Sequence, residues 1–344
     1  MTCSRAIHRK SREDLAPPVS PSRRTVLGLA LTGALLGTAS AARAQAPWPS
    51  KPIRFIVGFS AGGPTDIFAR LLARKLSDQL GQPVAVENRV GANANIAAEA
   101  VARSEPDGYT FLYNSSSLAT SASLYRNLRY DARKDLLPVG MTMSVPIAFV
   151  VHPSVPVATP GDLVAFLKAQ QGKVTYASGG IGNAQHLGME MFLRAYGVQA
   201  SHIPYKGSSQ AHLDLVAGRT SMMIDTVGSV LPYIRDQRLR ALATLSLERL
   251  PTLPDVPTIA ESGLPGFELE AWQGVMAPAN THESIVNRMN EELAKALMSD
   301  EVKASLSAQS GRARTGSPRV YDEYLRAEIE RYARVIKELN ITID

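Results

Sequence analysis

Cysteine is almost missing from this chain: among 344 residues only Cys3 carries a thiol. It lies in a segment with the marks of a removable leader, so the working protein has no disulfide, no thiol nucleophile and no thiolate metal ligand. A strong charge of one sign is also missing once that leader is set aside. The full chain carries 37 Lys+Arg and 31 Asp+Glu. Seven of those bases (Arg5, Arg9, Lys10, Arg12, Arg23, Arg24, Arg43) and two of those acids (Glu13, Asp14) precede residue 45, which leaves 30 bases and 29 acids behind. A net charge of +1 does not support nucleic-acid binding. Long apolar runs are absent too. Val26–Leu36 spans 11 residues, short of the roughly 20 that cross a bilayer, and no later segment is long and apolar enough to cross a membrane. Neither a Walker A sequence nor a G-x-G-x-x-G following a strand occurs, which excludes the nucleotide fingerprints. No tandem repeat or long low-complexity tract is present.

What is there begins with the leader. Ser22-Arg23-Arg24-Thr25-Val26-Leu27 opens the apolar stretch, and Ala42-Arg43-Ala44 ends the small-residue segment in an A-x-A cleavage pattern. Residues 1–44 therefore read as an export signal, with the paired arginines pointing to the twin-arginine route and Sec export as the alternative. The expectation is a soluble exported protein in a periplasm, large enough to fold on core burial alone.

From Lys51 onward strand and helix patterns alternate. Ile53–Val57, Val84–Glu87 and Tyr109–Tyr113 read as strands, with helices at Thr65–Leu80 (Ile67, Leu71, Leu72 and Leu76 on one face) and Asn95–Arg103. A second run covers Ile147–Val151, the helix Gly161–Gln170 capped by Thr159, Val174–Ala177, the helix Asn183–Tyr196, His202–Pro204, and on to Leu239–Ala243. The C-terminal third reads as mostly helical, with Ser284–Met298 and Tyr321–Leu339 amphipathic. A β-α-β pattern favours parallel sheets with helices on both faces. The expected architecture is two α/β domains with a hinge and a cleft, 45–148 plus 268–344 forming one and 149–267 the other.

Two glycine turns carry the candidate chemistry. Phe59-Ser60-Ala61-Gly62-Gly63-Pro64-Thr65-Asp66 follows a strand and opens a helix, so its N–H groups and the positive helix end converge where an anion can sit; Thr65 and Asp66 are candidate caps. Ser178-Gly179-Gly180-Ile181-Gly182-Asn183-Ala184-Gln185-His186 repeats the pattern, with Asn183 as N-cap and His186 either reaching the cleft or pinning the turn. Ser115 and Ser116 offer hydroxyls at a strand's end. Tyr205 and Lys206 sit in a third turn, where Lys206 could offset ligand charge. Asp225 ends a strand and either meets a ligand donor or caps the next helix. His186 and Glu190 lie four apart but lack a third partner for a metal, so no metal or cofactor is expected. Gly58-Phe59-Ser60-Ala61-Gly62 also spells the hydrolase G-x-S-x-G, with Asp225 and His282 in triad order. That elbow follows the first strand instead of several, which makes a serine hydrolase the weaker alternative.

Several separated segments together resemble the Bug/TctC-type extracytoplasmic solute receptors of tripartite tricarboxylate transporters. They are Pro49-Ser50-Lys51-Pro52-Ile53 leading to Gly62-Gly63-Pro64-Thr65-Asp66, then Val86 to Ala92, Pro106-Asp107-Gly108-Tyr109-Thr110, Ser178 to Leu187, His202 to Gly207, Leu253 to Thr258 and Trp272-Gln273-Gly274. The resemblance implies a type II periplasmic-binding-protein fold that closes on a small organic carboxylate held by the two facing turns. It also implies no catalysis, membrane subunits of a tripartite transporter as partners, and a monomer; a solute sensor without transport is the alternative role. Departures are Ala61 where the family has proline, Pro64 where it has glycine, Asn183 where threonine or serine is common, and Gly91-Ala92-Asn93-Ala94-Asn95-Ile96-Ala97 in place of a glycine-rich segment.

Overall fold

The computed structural model describes residues 48–338, so the expected leader over residues 1–44 lies outside the described residues. Strand β1 (Ile53–Val57) leads into helix α1 (Pro64–Leu80), β2 (Val84–Asn88), α2 (Asn95–Ala102), β3 (Thr110–Ser115) and α3 (Ser117–Leu124). The long β4 (Leu136–Val151) follows, then α4 (Pro160–Gln170), β5 (Thr175–Ser178), α5 (Ala184–Ala195), β6 (Ser201–Pro204), α6 (Ser208–Val216), β7 (Met222–Thr226), α7 (Val227–Arg235) and β8 (Arg240–Thr244). The chain ends through β9 (Glu270–Pro278), α8 (Glu283–Leu297), α9 (Asp300–Ser307), β10 (Arg312–Ala313) and α10 (Pro318–Glu338).

Local chemistry explains the boundaries. Pro64 occupies the first turn of α1, where its missing N–H costs nothing. Gly81 ends that helix at φ 66°, a left-handed cap that suits glycine. The N-cap is Gly63, without a side-chain cap, so Thr65 and Asp66 lie inside the first turn and do not cap it. The buried stripe of α1 is Phe68, Leu72 and Leu76, and Ile67 is 59% exposed. The i, i+4 phase is thus set one residue later than the expected face. Helix α4 starts on a capping box in which Thr159 accepts from Asp162 N–H and Asp162 from Thr159 N–H.

The strands run in the order β2-β1-β3-β9-β4-β7-β5-β6, with β8 and β10 also pairing with β4. β1 pairs in parallel with β2 and β3, and β5 with β6 and β7. The middle is antiparallel: β3–β9, β4–β9 and β4–β7. The sheet is therefore mixed, not parallel throughout. A crossover helix forces parallel pairing only between the strands it joins, and β9 enters from far along the sequence. β9 also corrects the reading of the C-terminal third as mostly helical. Strand β4 changes partners midway: Leu136–Pro146 pairs with β9, and Ile147–Val151 with β7 and β8.

Side chains alternate across the sheet as strand geometry requires. Phe55 and Val57 pack with Phe68, Leu72, Met289 and Leu293 of α1 and α8. Ile56 faces the other way, toward Leu112, Trp272 and Leu325. A third cluster joins Ala148 and Val150 of β4 to Leu215 and Val230. Trp272 is fully buried, and its indole N–H donates to Glu328 of α10 at 3.0 Å. The carboxyl ends of the strands, with the helix starts that follow them, are thereby brought to one region.

Candidate functional site

Five helix N-termini line a single cavity. Its walls are Phe59, Ser60 and Gly63–Thr65 at the start of α1, Ser115–Ser117 at the start of α3, Gly179 and Asn183–Gln185 at α5, Gly207 and Ser208 at α6, and Asp225 and Thr226 at α7. Ile147 and Ala271–Gln273 close it. The free volume is about 70 Å³. At roughly 10–15 Å³ per water this holds about five waters, the bulk of a small organic acid and less than a nucleotide needs.

The turns that bear these helix starts touch. A Cβ on Gly207 would lie 2.4 Å from Ser60 Oγ, and one on Gly63 would lie 3.7 Å from Ser209 Oγ. Gly207 N–H donates to the Gly179 carbonyl at 2.9 Å, and Gln185 Nε2 donates to Ser208 Oγ at 2.8 Å. Gln185 Oε1 in turn accepts from Gly179 N–H at 2.6 Å and Asn183 Nδ2 at 2.9 Å. The first-turn amides of Thr65, Ala184, Gln185 and Ser208 have no acceptor within their helices. Among the described residues no lysine or arginine lines the cavity, and the one ionisable wall residue is Asp225. Asp225 is itself engaged, accepting from Thr226 N–H at 2.7 Å and paired with His212 Nε2 at 2.7 Å. An anion placed here meets partial positive charge from backbone dipoles alone.

Of the expected residues, Phe59, Ser60, Gly63, Thr65, Ser115, Ser116, Asn183 and Asp225 come together on this cavity. The others lie around it. Ala61 and Gly62 are exposed on the outer side of the first turn. Asp66 sits beneath that turn, accepting from Gly62 N–H at 2.9 Å, Asn88 Nδ2 at 2.8 Å and Arg70 Nε at 2.9 Å. Burial pushes the Asp66 carboxyl up, but the Arg70, Gly62 and Asn88 hydrogen bonds outweigh it and hold it below the ordinary range. Gly180, Tyr205 and Lys206 line a neighbouring hollow with Phe59, Gly179 and Asn93; there the Tyr205 hydroxyl donates to Asp214 at 2.6 Å.

Ser178, Gly182 and His186 hold the second turn from behind. Ser178 Oγ accepts from Gly180 N–H at 3.2 Å and lies 2.7 Å from His202 Nε2. His186 Nδ1 accepts from Gly182 N–H at 3.0 Å, and Asn183 Oδ1 caps α5 through His186 N–H at 2.9 Å. The rings of Tyr176, His202 and His186 stack at 4.7 and 4.1 Å. Burial, with His186 alongside, pulls His202 down to about 3; burial also lowers His186, against the nearby Glu190. Both rings are neutral near pH 7, so His186 pins the turn and brings no charge to it.

The serine-hydrolase order is not assembled. Asp225 is committed to His212 and Thr226, and His282 caps α8 with Nδ1 at 2.8 Å from Ser284 Oγ. Ser60 Oγ is buried without a hydrogen-bond partner among the described residues. Among the described residues no group of three His, Cys, Asp or Glu side chains could hold a metal, and no helix is long and apolar enough to cross a membrane.

Sequence reasoning missed Gln185, Ser208, Thr226 and Gln273. Ser208 and Thr226 each stand where a strand-then-helix pattern turns over, the same signal that exposed the first two turns. Gln273 was hidden because its strand was not recognised. The altered glycine-rich segment proves strained: Ala92, Asn93 and Ala94 take left-handed φ values of 46°, 53° and 71°. Ala94 packs so closely on β1 that a Cβ at Gly58 would lie 2.1 Å from its methyl.

Comparison with known proteins gives the same picture. A family model described as tripartite tricarboxylate transporter family receptor matches residues 68–341. The chain is similar to R. palustris Rpa4515, solved with adipate, at 35% identity and a TM-score of 0.83 over 86% of this chain and 99% of that one. It is similar to the periplasmic binding protein BugD at 32% identity and a TM-score of 0.83, again over 86% of this chain and 99% of that one. MatC from Rhodopseudomonas palustris, solved with bound malate, matches at 29% identity and a TM-score of 0.80 over 84% of this chain and all of that one. The expected resemblance and fold class hold: this chain belongs to the tripartite tricarboxylate transporter receptor family.

Proposed function

We propose that this protein is an exported receptor that captures a small organic carboxylate and delivers it to the membrane subunits of a tripartite transporter. The observation that carries the reading is the convergence of five helix N-termini on a small cavity with no cationic side chain. Each terminus presents about half a positive charge, so the sum can balance a carboxylate without a lysine or arginine. The relatives solved with adipate and malate, both small dicarboxylates, support this chemistry. The groups assigned to the ligand are the turn Phe59–Thr65, Ser115, Ser116 and Asn183, joined by Gln185 and Ser208.

Two lobes, 45–148 plus 268–344 and 149–267, would close over the ligand. Supporting this, β4 exchanges β9 for β7 and β8 between Pro146 and Ile147, two residues from the proposed hinge. Closure excludes water and strengthens each amide–carboxylate bond. The mature protein acts in the periplasm after removal of residues 1–44, and it binds without catalysing a reaction.

A thermal-shift screen of organic acids tests this. An acid at 100 times its dissociation constant adds about 2.7 kcal/mol of stability. Calorimetry of Gly63→Val completes the test, because its Cβ would already stand 3.3 Å from the Ser60 carbonyl and the added methyls would crowd Ser209. Loss of binding is expected; unchanged affinity places the ligand elsewhere.

A further inference from the structure

A small buried void lies behind the start of α3, lined by Asn93, Asn95, Asn114 of β3, Ser117 of α3 and Tyr130 among others. Its free volume is about 10 Å³, room for a single water. Three asparagine side chains meet there. Each leaves one polar atom buried without a partner among the described residues: Asn95 Nδ2, Asn114 Nδ2 and Asn93 Oδ1. Asn95 is 8% exposed and Asn114 3%. The far end of each amide decides which end faces the void. The Tyr130 hydroxyl donates to Asn95 Oδ1 at 2.7 Å, and the Tyr321 hydroxyl to Asn114 Oδ1 at 2.9 Å. Neither hydroxyl has a second partner among the described residues, so a rotated amide would strand the tyrosine proton. Burial pushes both tyrosines far above their ordinary range, and both keep that proton. Thr120 spends its own proton on the Ser117 carbonyl at 3.0 Å, so its oxygen accepts from Asn93 Nδ2 at 3.3 Å. That leaves Asn93 Oδ1 as the free end.

The void thus presents two NH₂ donors and one carbonyl acceptor. Its occupant must accept from the first two and donate to the third. Water does both. A halide accepts but has no proton to give, and a metal cation accepts nothing. From this geometry we infer that one ordered water is bound between Asn93, Asn95 and Asn114 as a fixed part of the structure behind the α3 start. The site lies apart from the ligand cavity, with Ser117 the residue that lines both, and it stands whether or not a carboxylate binds there. The water ties the left-handed run Ala92–Ala94 to the first turn of α2 and the end of β3. That run is strained, and Ala94 presses on Gly58 at the head of the first glycine turn, so its position needs an anchor. Without the water two NH₂ groups and one carbonyl would be buried unsatisfied.

The test is a crystal structure of the full mature protein at a resolution that shows ordered water, with crystals grown from chloride and from bromide. The expected result is one isolated peak within about 3 Å of Asn95 Nδ2, Asn114 Nδ2 and Asn93 Oδ1, without anomalous signal in bromide. A void with no peak overturns the inference. An anomalous peak in bromide overturns it too and assigns the site to a halide. In solution, the side-chain amide protons of Asn95 and Asn114 in the ¹⁵N-labelled protein should show nuclear Overhauser transfer from a long-lived water; its absence at both residues counts against the site. Asn114→Leu, which removes one donor and fills the space with methyls, should abolish the peak and the transfer at Asn95, and an unmoved peak would show that Asn114 does not hold the water. The wild-type measurements decide the matter even where the leucine variant fails to fold.

Discussion

Replacing Gly207 by alanine separates two effects that the structure superimposes. Gly207 has φ 121°, a region that side chains rarely occupy, and a Cβ there would lie 2.4 Å from Ser60 Oγ on the facing turn. The backbone penalty, about 1–3 kcal/mol, belongs to the folded protein with or without ligand, so it appears as a lower melting temperature. Under the proposed lobe closure the two turns meet only in the closed, ligand-bound state, so the clash appears as weaker binding. Overpacking of this kind costs about 1–3 kcal/mol, which at 1.4 kcal/mol per tenfold is about a 5- to 150-fold rise in dissociation constant. Ser60→Ala in the same chain removes the offending oxygen; the next atom, Ser60 Cβ, is 3.4 Å away, an ordinary contact. Most of the lost affinity should return in the double variant while the lowered melting temperature remains, a coupling that calorimetry resolves in a double-mutant cycle. Wild-type affinity in Gly207→Ala, or no rescue by Ser60→Ala, would refute the claim that these turns press together around the ligand.

Other expectations follow from the supports of the two turns. Asp66→Asn weakens the anchor under Gly62 and the bond from Arg70; loss of about 2 kcal/mol should lower the melting temperature by about 3 °C for a chain of roughly 300 residues and weaken acid binding. Ala92→Gly relieves a left-handed alanine on an exposed position and should raise stability by about 1 kcal/mol, read as a higher urea midpoint. His186 and His202 are held neutral, with pKa values lowered on folding. The unfolded chain therefore binds protons that the folded one refuses, and stability falls as pH drops from about 6.5 toward 3, by at most about 1.4 kcal/mol per pH unit and histidine. Asp66 has a lowered pKa, so its contribution is complete above about 4 and is lost below that; the fall between about 6.5 and 4 in urea titrations at stepped pH therefore belongs to the histidines alone. A fluorophosphonate should leave Ser60 unlabelled, since no histidine activates it; covalent labelling would revive the hydrolase reading.

How much of this was legible beforehand varies by element. The two turns at Phe59–Asp66 and Ser178–His186 announced themselves because glycine, a cap and a helix start after an apolar strand form a local signal. β9 carried no such signal: Glu270–Pro278 has neither alternation nor flanking turn residues strong enough to stand out, and it is a strand because β3 and β4 accept it on both sides. Missing it concealed Gln273 and the antiparallel centre of the sheet. Helix α3 went unseen because Ser115–Ser117 reads as a polar loop, yet those hydroxyls and amides open a helix. The phase of α1 was off by one residue because Ile67 and Phe68 are both apolar, and only packing decides which is buried. Ser178 and His186 were recognisable as part of the turn, but their position behind it depends on the stacking of Tyr176, His202 and His186, a contact between residues distant in sequence.

Central to the account is recognition of negative charge by main-chain amides at helix starts. Titration calorimetry of adipate against adipamide, the same skeleton with both charges removed, addresses it most directly. Saturable binding of adipate with none of adipamide, lost for adipate in Gly63→Val, is the expected outcome; equal binding of the two molecules would contradict it.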